Sequence, residues 1–424
     1  MKIYYKRICD QILIDKLEAK GAVLIKGAKW CGKTTTAENI AKSVIYMEEP
    51  ARKKQYLEMA EMNPAQLLQG EVPRLIDEWQ LAPKLWDAVR FEVDRRDEFG
   101  QFILTGSAVP ADFSEISHTG TGRITSLLMR PMSLYESGDS NGNVSLGALF
   151  LKEQDVYGND EHNLEDIAFL ICRGGWPKSI GKSIKVALAQ APDYYDAVVE
   201  SDISRVDDIT RDAERARRIM RAYARSVSSE ATITSILQDV RTDEQDSFSE
   251  NTLRSYLSAL RKIYVIEDNP AWNPNLRSKT AVRSSDTRYF VDPSVGTAAL
   301  GAGPKDLIND LATMGLLFEN LCVRDLRVYA EALDGKVYHY RDKSGLECDA
   351  VVHLKNGKYG LIEIKLGGDR LIEEGARNLL RFCDRIDSEK MGKPAFMMVL
   401  CGVAPYAYKR SDGVYVVPIG CLKD

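Results

Sequence analysis

Gly27-Ala28-Lys29-Trp30-Cys31-Gly32-Lys33-Thr34 is the stretch on which the reading of this chain turns. It satisfies the phosphate-loop spacing G-x-x-x-x-G-K-[ST] at every fixed position. Gly21 to Lys26 ahead of it reads as a buried strand, and Thr34 to Val44 behind it reads as a helix. A loop in that setting turns backbone N–H groups inward as an anion cradle, and the helix N-terminus adds partial positive charge. The nucleotide-binding set is therefore Gly27, Ala28, Lys29, Trp30, Cys31, Gly32, Lys33, Thr34 and Thr35. Lys33 is expected to reach the β- and γ-phosphates, and Thr34 to ligate Mg²⁺. The chain has no guanine-reading Asn-Lys-x-Asp sequence, so ATP is the expected nucleotide.

A phosphate loop needs a carboxylate on a neighbouring strand for the metal and a polarising group beside it. Leu75-Ile76-Asp77-Glu78 offers both, with Asp77 serving Mg²⁺ and Glu78 the attacking water. Gln101 to Ser107 is a second apolar run with a polar end, from which Thr105 or Ser107 can sense the γ-phosphate on a strand between the other two. Pro83 to Asp97 carries Leu85, Trp86, Val89 and Val93 at helical spacing, a packing helix. Arg123 and Arg130 follow; each is either an arginine finger or an ordinary surface arginine, and a finger given to a neighbouring subunit would require assembly.

The 424 residues suggest two or three domains, and 44% hydrophobic with 28% charged residues excludes a disordered chain. No apolar run approaches a membrane span, and the segment from Met1 to Arg7 lacks the apolar core of a signal peptide. The eight cysteines are scattered without a C-x-x-C pair, which fits reduced, cytoplasmic usage. A net charge of −5 argues against a uniformly nucleic-acid-coating surface.

The polar Ser137 to Asn143 stretch closes the first domain, and from about Leu164 the pattern turns helical. Asp212 to Val227 is a basic helix with Arg215, Arg217, Arg218, Arg221 and Arg225; helices over Ile233 to Val240 and Glu250 to Ile263 follow, then a β-like segment ending in Arg288-Tyr289-Phe290-Val291-Asp292. Three short helices and a hairpin describe a winged helix. Arg254, Arg261, Lys262, Arg277, Lys279, Arg283 and Arg288 are its candidate DNA contacts, though such folds also serve as connectors.

The C-terminal region holds a second constellation. Glu347 to Val352 and Gly360 to Lys365 flank a Lys355-Asn356-Gly357-Lys358 turn, a hairpin with Asp349 on one strand and Glu363-x-Lys365 on the other. Alternation puts Glu363 and Lys365 on one face. Asp349, Glu363 and Glu319, the last on a helix, are the expected metal ligands, with Glu363 and Lys365 also in catalytic roles. The other reading is a salt bridge from Lys365 to Glu363 or Asp349.

Together these motifs, with Arg173-Gly174-Gly175-Trp176-Pro177 and Arg130-Pro131-Met132-Ser133-Leu134, resemble the prokaryotic AAA-type ATPases that carry a C-terminal DUF4143 domain. The resemblance implies an α/β protein: a P-loop AAA-type parallel-sheet ATPase domain (1–143), a helical lid (144–210), a winged-helix-like domain (211–300) and a restriction-endonuclease-like domain (301–424) similar to the PD-(D/E)xK nucleases. Trp30 and Cys31 depart from the small residues usual inside such loops. Three functions compete: an ATPase coupled to a DNA transaction, a C-terminal module that binds DNA or protein without cleaving, and a nucleotide-gated signalling switch.

Overall fold

The structure is a computed structural model describing residues 4–107, 120–152, 155–207, 209–241, 248–273, 285–342 and 344–424. The chain divides into two compact units. The first comprises Met1–Pro131, Glu200–Arg211 and Ser258–Val265; the second comprises Met132–Val199, Asp212–Leu257 and Ile266–Asp424.

In the first unit, β1 (Ala22–Lys26), β2 (Ser43–Tyr46), β3 (Arg74–Asp77), β4 (Phe102–Gly106) and β5 (Ile124–Leu128) form a parallel sheet ordered β2-β3-β4-β1-β5. Helices cover both faces, which is why the strands read as unbroken apolar runs. Ile76, Phe102 and Leu104 pack on one side with Leu85 and Val89 of the Lys84–Arg96 helix. Leu75, Ile103, Val23 and Ile25 pack on the other with Leu13 and Leu17 of the Cys9–Ala19 helix. The helix after the phosphate loop is shorter than the sequence suggests. It spans Lys33–Ile40, and Val44 belongs to β2, because the Ser43-Val44-Ile45-Tyr46 run, with β-branched Val44 and Ile45 and aromatic Tyr46, pairs with β3.

The second unit begins earlier than the polar stretch 137–143. Ser133 caps the Leu134–Ser137 helix, and the following turn is tied within this unit: Asn141 N–H donates to Gly420 O at 2.8 Å and Ser140 Oγ to Leu422 O at 2.7 Å. β6 (Val144–Ser145) pairs with the C-terminal β14 (Leu422–Lys423). The Leu164–Arg173, Ile184–Ala197, Ala213–Arg225 and Ile233–Val240 helices follow, then Glu250–Lys262. Antiparallel bridges join Ile266 to Phe290 and Asn269 to Thr287.

The C-terminal part runs helix Leu311–Ala332, then β8 (Gly335–Arg341), β9 (Glu347–Leu354) and β10 (Tyr359–Gly367), then helix Asp369–Cys383 and β11 (Phe396–Val403). β8, β9 and β10 are antiparallel neighbours, while β11 lies parallel to β10. β12 (Tyr406–Lys409), β13 (Tyr415–Pro418) and the short β7 (Gly158–Asn159) complete a seven-stranded sheet. Ile372, Ala376, Leu379 and Phe382 of the Asp369–Cys383 helix pack on Val351, Leu361 and Val399. No helix among the described residues is long and apolar enough to cross a membrane.

A buried polar knot fixes this unit. Arg324 Nη1 donates to Asp292 Oδ2 at 2.8 Å and its Nε to Asp325 Oδ1 at 2.8 Å, with all three residues no more than 1% exposed. Asp292 also accepts from Gly175 N at 2.9 Å, and Asp325 from Leu134 N at 2.9 Å. Gly174 has φ +69°, and a Cβ there would lie 2.4 Å from Asp292 Oδ1, so the Gly174-Gly175 pair is what lets the chain approach the knot. Removing one partner of a buried ion pair costs about 3–5 kcal/mol. Asp292→Ala is therefore expected to lower the urea midpoint of the full chain markedly; an unchanged midpoint would contradict the assignment.

His339 on β8 donates from Nε2 to Ser285 O at 3.0 Å. Burial, with Arg341 adding to it, lowers its pKa to about 4 against the Ser285 contact. Glu230 lies 3.5 Å from its Nδ1, and with the imidazole neutral above about pH 4 the two are not a charged pair near neutrality. The unfolded chain then binds the proton first, so stability falls as pH drops from about 6.5 to about 4, by up to about 3 kcal/mol. His339→Gln should flatten the denaturation profile across that window.

Candidate nucleotide site and a C-terminal carboxylate cluster

The phosphate loop leaves β1 at the C-terminal edge of the parallel sheet. Gly27 has φ +151°, and a Cβ there would lie 2.1 Å from Met129 O; Gly32 has φ +104°. Both positions need glycine. Trp30 sits at φ +65° and is 45% exposed, so it points away from the core, whereas Cys31 is buried with Sγ donating to Met129 O at 3.4 Å. Lys33 Nζ donates to Gly27 O at 2.9 Å and Ala28 O at 2.7 Å, which lays the ammonium along the loop. Thr35, in the first helical turn, is exposed.

The sheet order brings the other expected residues to the same edge. β4 lies between β1 and β3, with Thr105 in register with Ile25 on one side and Asp77 on the other. Asp77 Oδ1 accepts from Thr34 Oγ1 at 2.8 Å and from Thr105 Oγ1 at 2.6 Å. Glu78 follows in the left-handed region at φ 54°, turning its carboxylate out of the strand. Ser107 Oγ donates to Glu78 Oε2 at 3.4 Å, and Gln80 Nε2 donates to the same oxygen. Burial raises the Glu78 pKa, with Gln80 and Lys33 acting against it. A carboxyl held partly towards its neutral form is better matched to accepting a proton than an ordinary surface carboxylate.

Arg123 does not join this group. It precedes Ile124, which pairs with Ala22 at the opposite end of the parallel strands, about 13 Å along β5 from the loop edge. Its guanidinium pairs with Asp94 at 2.7 Å on the surface. Strand direction thus places Arg123 away from the phosphate loop of its own chain. Arg130 is at the loop edge, where its carbonyl accepts from Arg7 Nη2 at 2.8 Å.

Two residues at this site carried no sequence signal. Arg7, 4% exposed, also donates through Nη1 to Cys31 O at 2.9 Å and so ties the loop to the end of β5. Asp202 pairs with the loop's Lys29 at 2.7 Å. Both partnerships join distant parts of the chain to the phosphate loop, and neither Arg7 nor Asp202 belongs to a recognisable pattern.

In the second unit, Asp349, Glu363 and Lys365 meet as expected. Lys365 Nζ is 2.8 Å from Glu363 Oε2 and 3.3 Å from Asp349 Oδ2, and Ile364 N donates to Asp349 at 2.7 Å. Glu319 enters through Tyr289, whose hydroxyl donates to Oε1. Burial and then Asp349 raise the pKa values of both Glu319 and Glu363. Burial works against the Lys365 ammonium, yet Asp349 and Glu363 hold its pKa above the usual lysine value. For the expected metal ligands Glu319, Asp349 and Glu363, no three His, Cys, Asp or Glu side chains are grouped to hold a metal ion among the described residues, and the Lys365 ammonium lies within ion-pair distance of both Asp349 and Glu363.

The basic residues expected to face DNA are largely engaged within the chain. Arg288 is buried, with Nη1 donating to Asp268 at 2.9 Å and Nε to Ala231 O. Arg254 pairs with Glu250 and Lys262 with Asp207. Arg277, Lys279 and Arg283 lie outside the described residues.

Three family models match successive parts of the chain. An AAA domain matches residues 19–138, a domain of unknown function (DUF8612) matches 164–306, and a domain of unknown function (DUF4143) matches 314–422. No curated protein matches. Among solved structures, a Walker-type ATPase of Pyrococcus abyssi is 15% identical with a TM-score of 0.43, covering 70% of this chain and 96% of its own. A DNA replication initiation factor is 15% identical with a TM-score of 0.21, covering 59% of this chain and 85% of its own. The chain thus carries an AAA domain at residues 19–138, which holds the phosphate loop, and a DUF4143 domain at residues 314–422.

Proposed function

We propose that this protein is a Mg²⁺-dependent ATPase whose turnover serves a DNA transaction through a nuclease-like C-terminal domain. The observation that carries the ATPase is the shared oxygen of Asp77, which takes hydroxyls from the loop's helix and from β4 at once. Thr34 and Asp77 offer a hydroxyl and a carboxylate 2.8 Å apart, a hard-oxygen pair that suits Mg²⁺. Thr34 and Asp77 would hold the ion, which would supply charge neutralisation to the phosphates. Lys33 exchanges its loop carbonyls for β- and γ-phosphate oxygens. Glu78 takes the proton of the attacking water, oriented by Gln80 and Ser107.

Lys33→Ala is expected to weaken ATP binding about 10-fold or more, the loss of a charge-assisted bond. Glu78→Gln should keep binding but lower turnover about 10²–10⁴-fold, as removal of a general base does. Equal loss of binding in both variants would contradict the division of roles.

The nuclease-like reading is supported by the helix, three antiparallel strands, helix and parallel strand of residues 311–403, with Asp349, Glu363 and Lys365 on adjoining strands. One observation favours the alternative, in which this domain binds without cleaving. Lys365 closes the cluster into an ion triad, and we derive no metal-dependent step from that arrangement. Supercoiled plasmid incubated with the protein, Mg²⁺ and ATP separates the two. Nicking that disappears in Asp349→Ala and Lys365→Ala is the expected result. Intact plasmid under conditions where ATP is hydrolysed would leave the binding module or nucleotide-gated switch.

A further inference from the structure

We propose that Asp202 is a specificity-determining residue of the nucleotide site: by holding Lys29, it sets how strongly a triphosphate is favoured over a diphosphate. The proposal rests on reading the loop as the ATP site. Lys29 is the cation within the loop besides Lys33, and its side chain is 43% exposed. Its ammonium does not lie on the loop carbonyls as Lys33 does, but on Asp202 Oδ1 at 2.7 Å, a carboxylate whose side chain is 11% exposed. The two residues are 173 positions apart, so the contact is a product of the fold.

The segment bearing Asp202 is braced. Arg211 reaches Asp207 through both terminal nitrogens at 2.6 and 2.9 Å, and donates to Ile203 O at 2.8 Å. Arg211 N–H donates to Ser204 Oγ at 2.9 Å, and Lys262 lies 3.7 Å from Asp207. Val198–Asp202 is a π-helical turn, a departure from regular helix that often accompanies functional positions. Residues 200–211 are packed with the ATPase unit, while the chain on either side belongs to the other unit. Asp202 is thus presented to the loop by a stiff insert, and among the described residues no other cation pairs with it.

The electrostatic consequence follows from charge. ATP brings one more anionic phosphoryl group to the cradle than ADP. Lys29 can reach it only by leaving Asp202, which strands a largely buried carboxylate beside the incoming charge. The Asp202 charge therefore opposes ATP more than ADP, and Lys29 is withheld until the triphosphate outcompetes the carboxylate.

The test is titration with fluorescent mant-ATP and mant-ADP at fixed Mg²⁺ and ionic strength. Asp202→Asn should tighten mant-ATP about 5-fold or more, within the usual range of coupling between charged sites, and mant-ADP by less. Lys29→Gln, at an exposed position that need not disturb folding, should weaken mant-ATP more than mant-ADP. Adding Asp202→Asn to Lys29→Gln should then tighten mant-ATP by less than it does alone. An unchanged ratio of the two affinities in Asp202→Asn, or weaker mant-ATP binding, overturns the proposal. Lys33→Ala separates the causes. If that variant still binds mant-ATP normally, the nucleotide-site reading fails; if it loses binding while Asp202→Asn keeps the ratio, only the role of Asp202 fails.

Discussion

The Asp77 carboxylate is the point on which the nucleotide site depends. One oxygen takes hydroxyls from Thr34 and Thr105, so the helix after the phosphate loop, β3 and β4 are held to a single atom. That junction is available because the strands are parallel and end together, with β4 between the loop strand and β3. Glu78, Gln80 and Ser107 then fall beside it as consequences of where their strands stop. Arg7 closes the opposite side by joining the Cys31 and Arg130 carbonyls.

A different kind of constraint holds the second unit. Its centre is charged: Arg324 lies between Asp292 and Asp325, Gly175 N–H shares Asp292 Oδ2 with it, Ser294 donates to Asp292 Oδ1, and Leu134 N–H donates to Asp325 Oδ2. A buried charge is tolerated only when paired and hydrogen-bonded, so the knot fixes four separate chain segments, at Leu134, Gly175, Asp292 and Arg324-Asp325, in one arrangement. The same stretch, Tyr289 to Asp292, also supplies the hydroxyl on Glu319, while Asn320 bonds both the N–H and the carbonyl of Phe290. The carboxylate cluster of residues 314–422 is thereby completed by a residue from outside that span.

Much of this was legible in the sequence, and the reason is contiguity. Gly27 to Thr34, Asp77-Glu78, the end of β4 and the hairpin carrying Asp349 and Glu363-x-Lys365 each declare themselves within a few residues. Strand direction was not legible, and it decides Arg123: the arginine follows a Gly-Thr-Gly turn that leads into β5 rather than out of it. Val44 was hidden because Lys33 to Val44 carries no glycine or proline to mark the end of the helix. Acids near the basic residues of the middle region, Glu250 and Asp268 among them, were visible in the sequence, but which arginine each one holds is set by the fold. Glu250 pairs with Arg254 one helical turn on, and Asp268 with Arg288 across the bridge of residues 269 and 287. Lys29 with Asp202 is the extreme case, since Asp202 belongs to no local pattern and lies 173 positions from the loop residue it pairs with.

The most direct measurement is a crystal structure of the full chain with Mg²⁺ and a non-hydrolysable ATP analogue. The account predicts phosphates lying along Gly27 to Thr34, Lys33 Nζ moved from the Gly27 and Ala28 carbonyls onto phosphate oxygens, and the metal between Thr34 and Asp77. Nucleotide bound elsewhere, or phosphates in the loop with Asp77 and Glu78 remote from them, would contradict it.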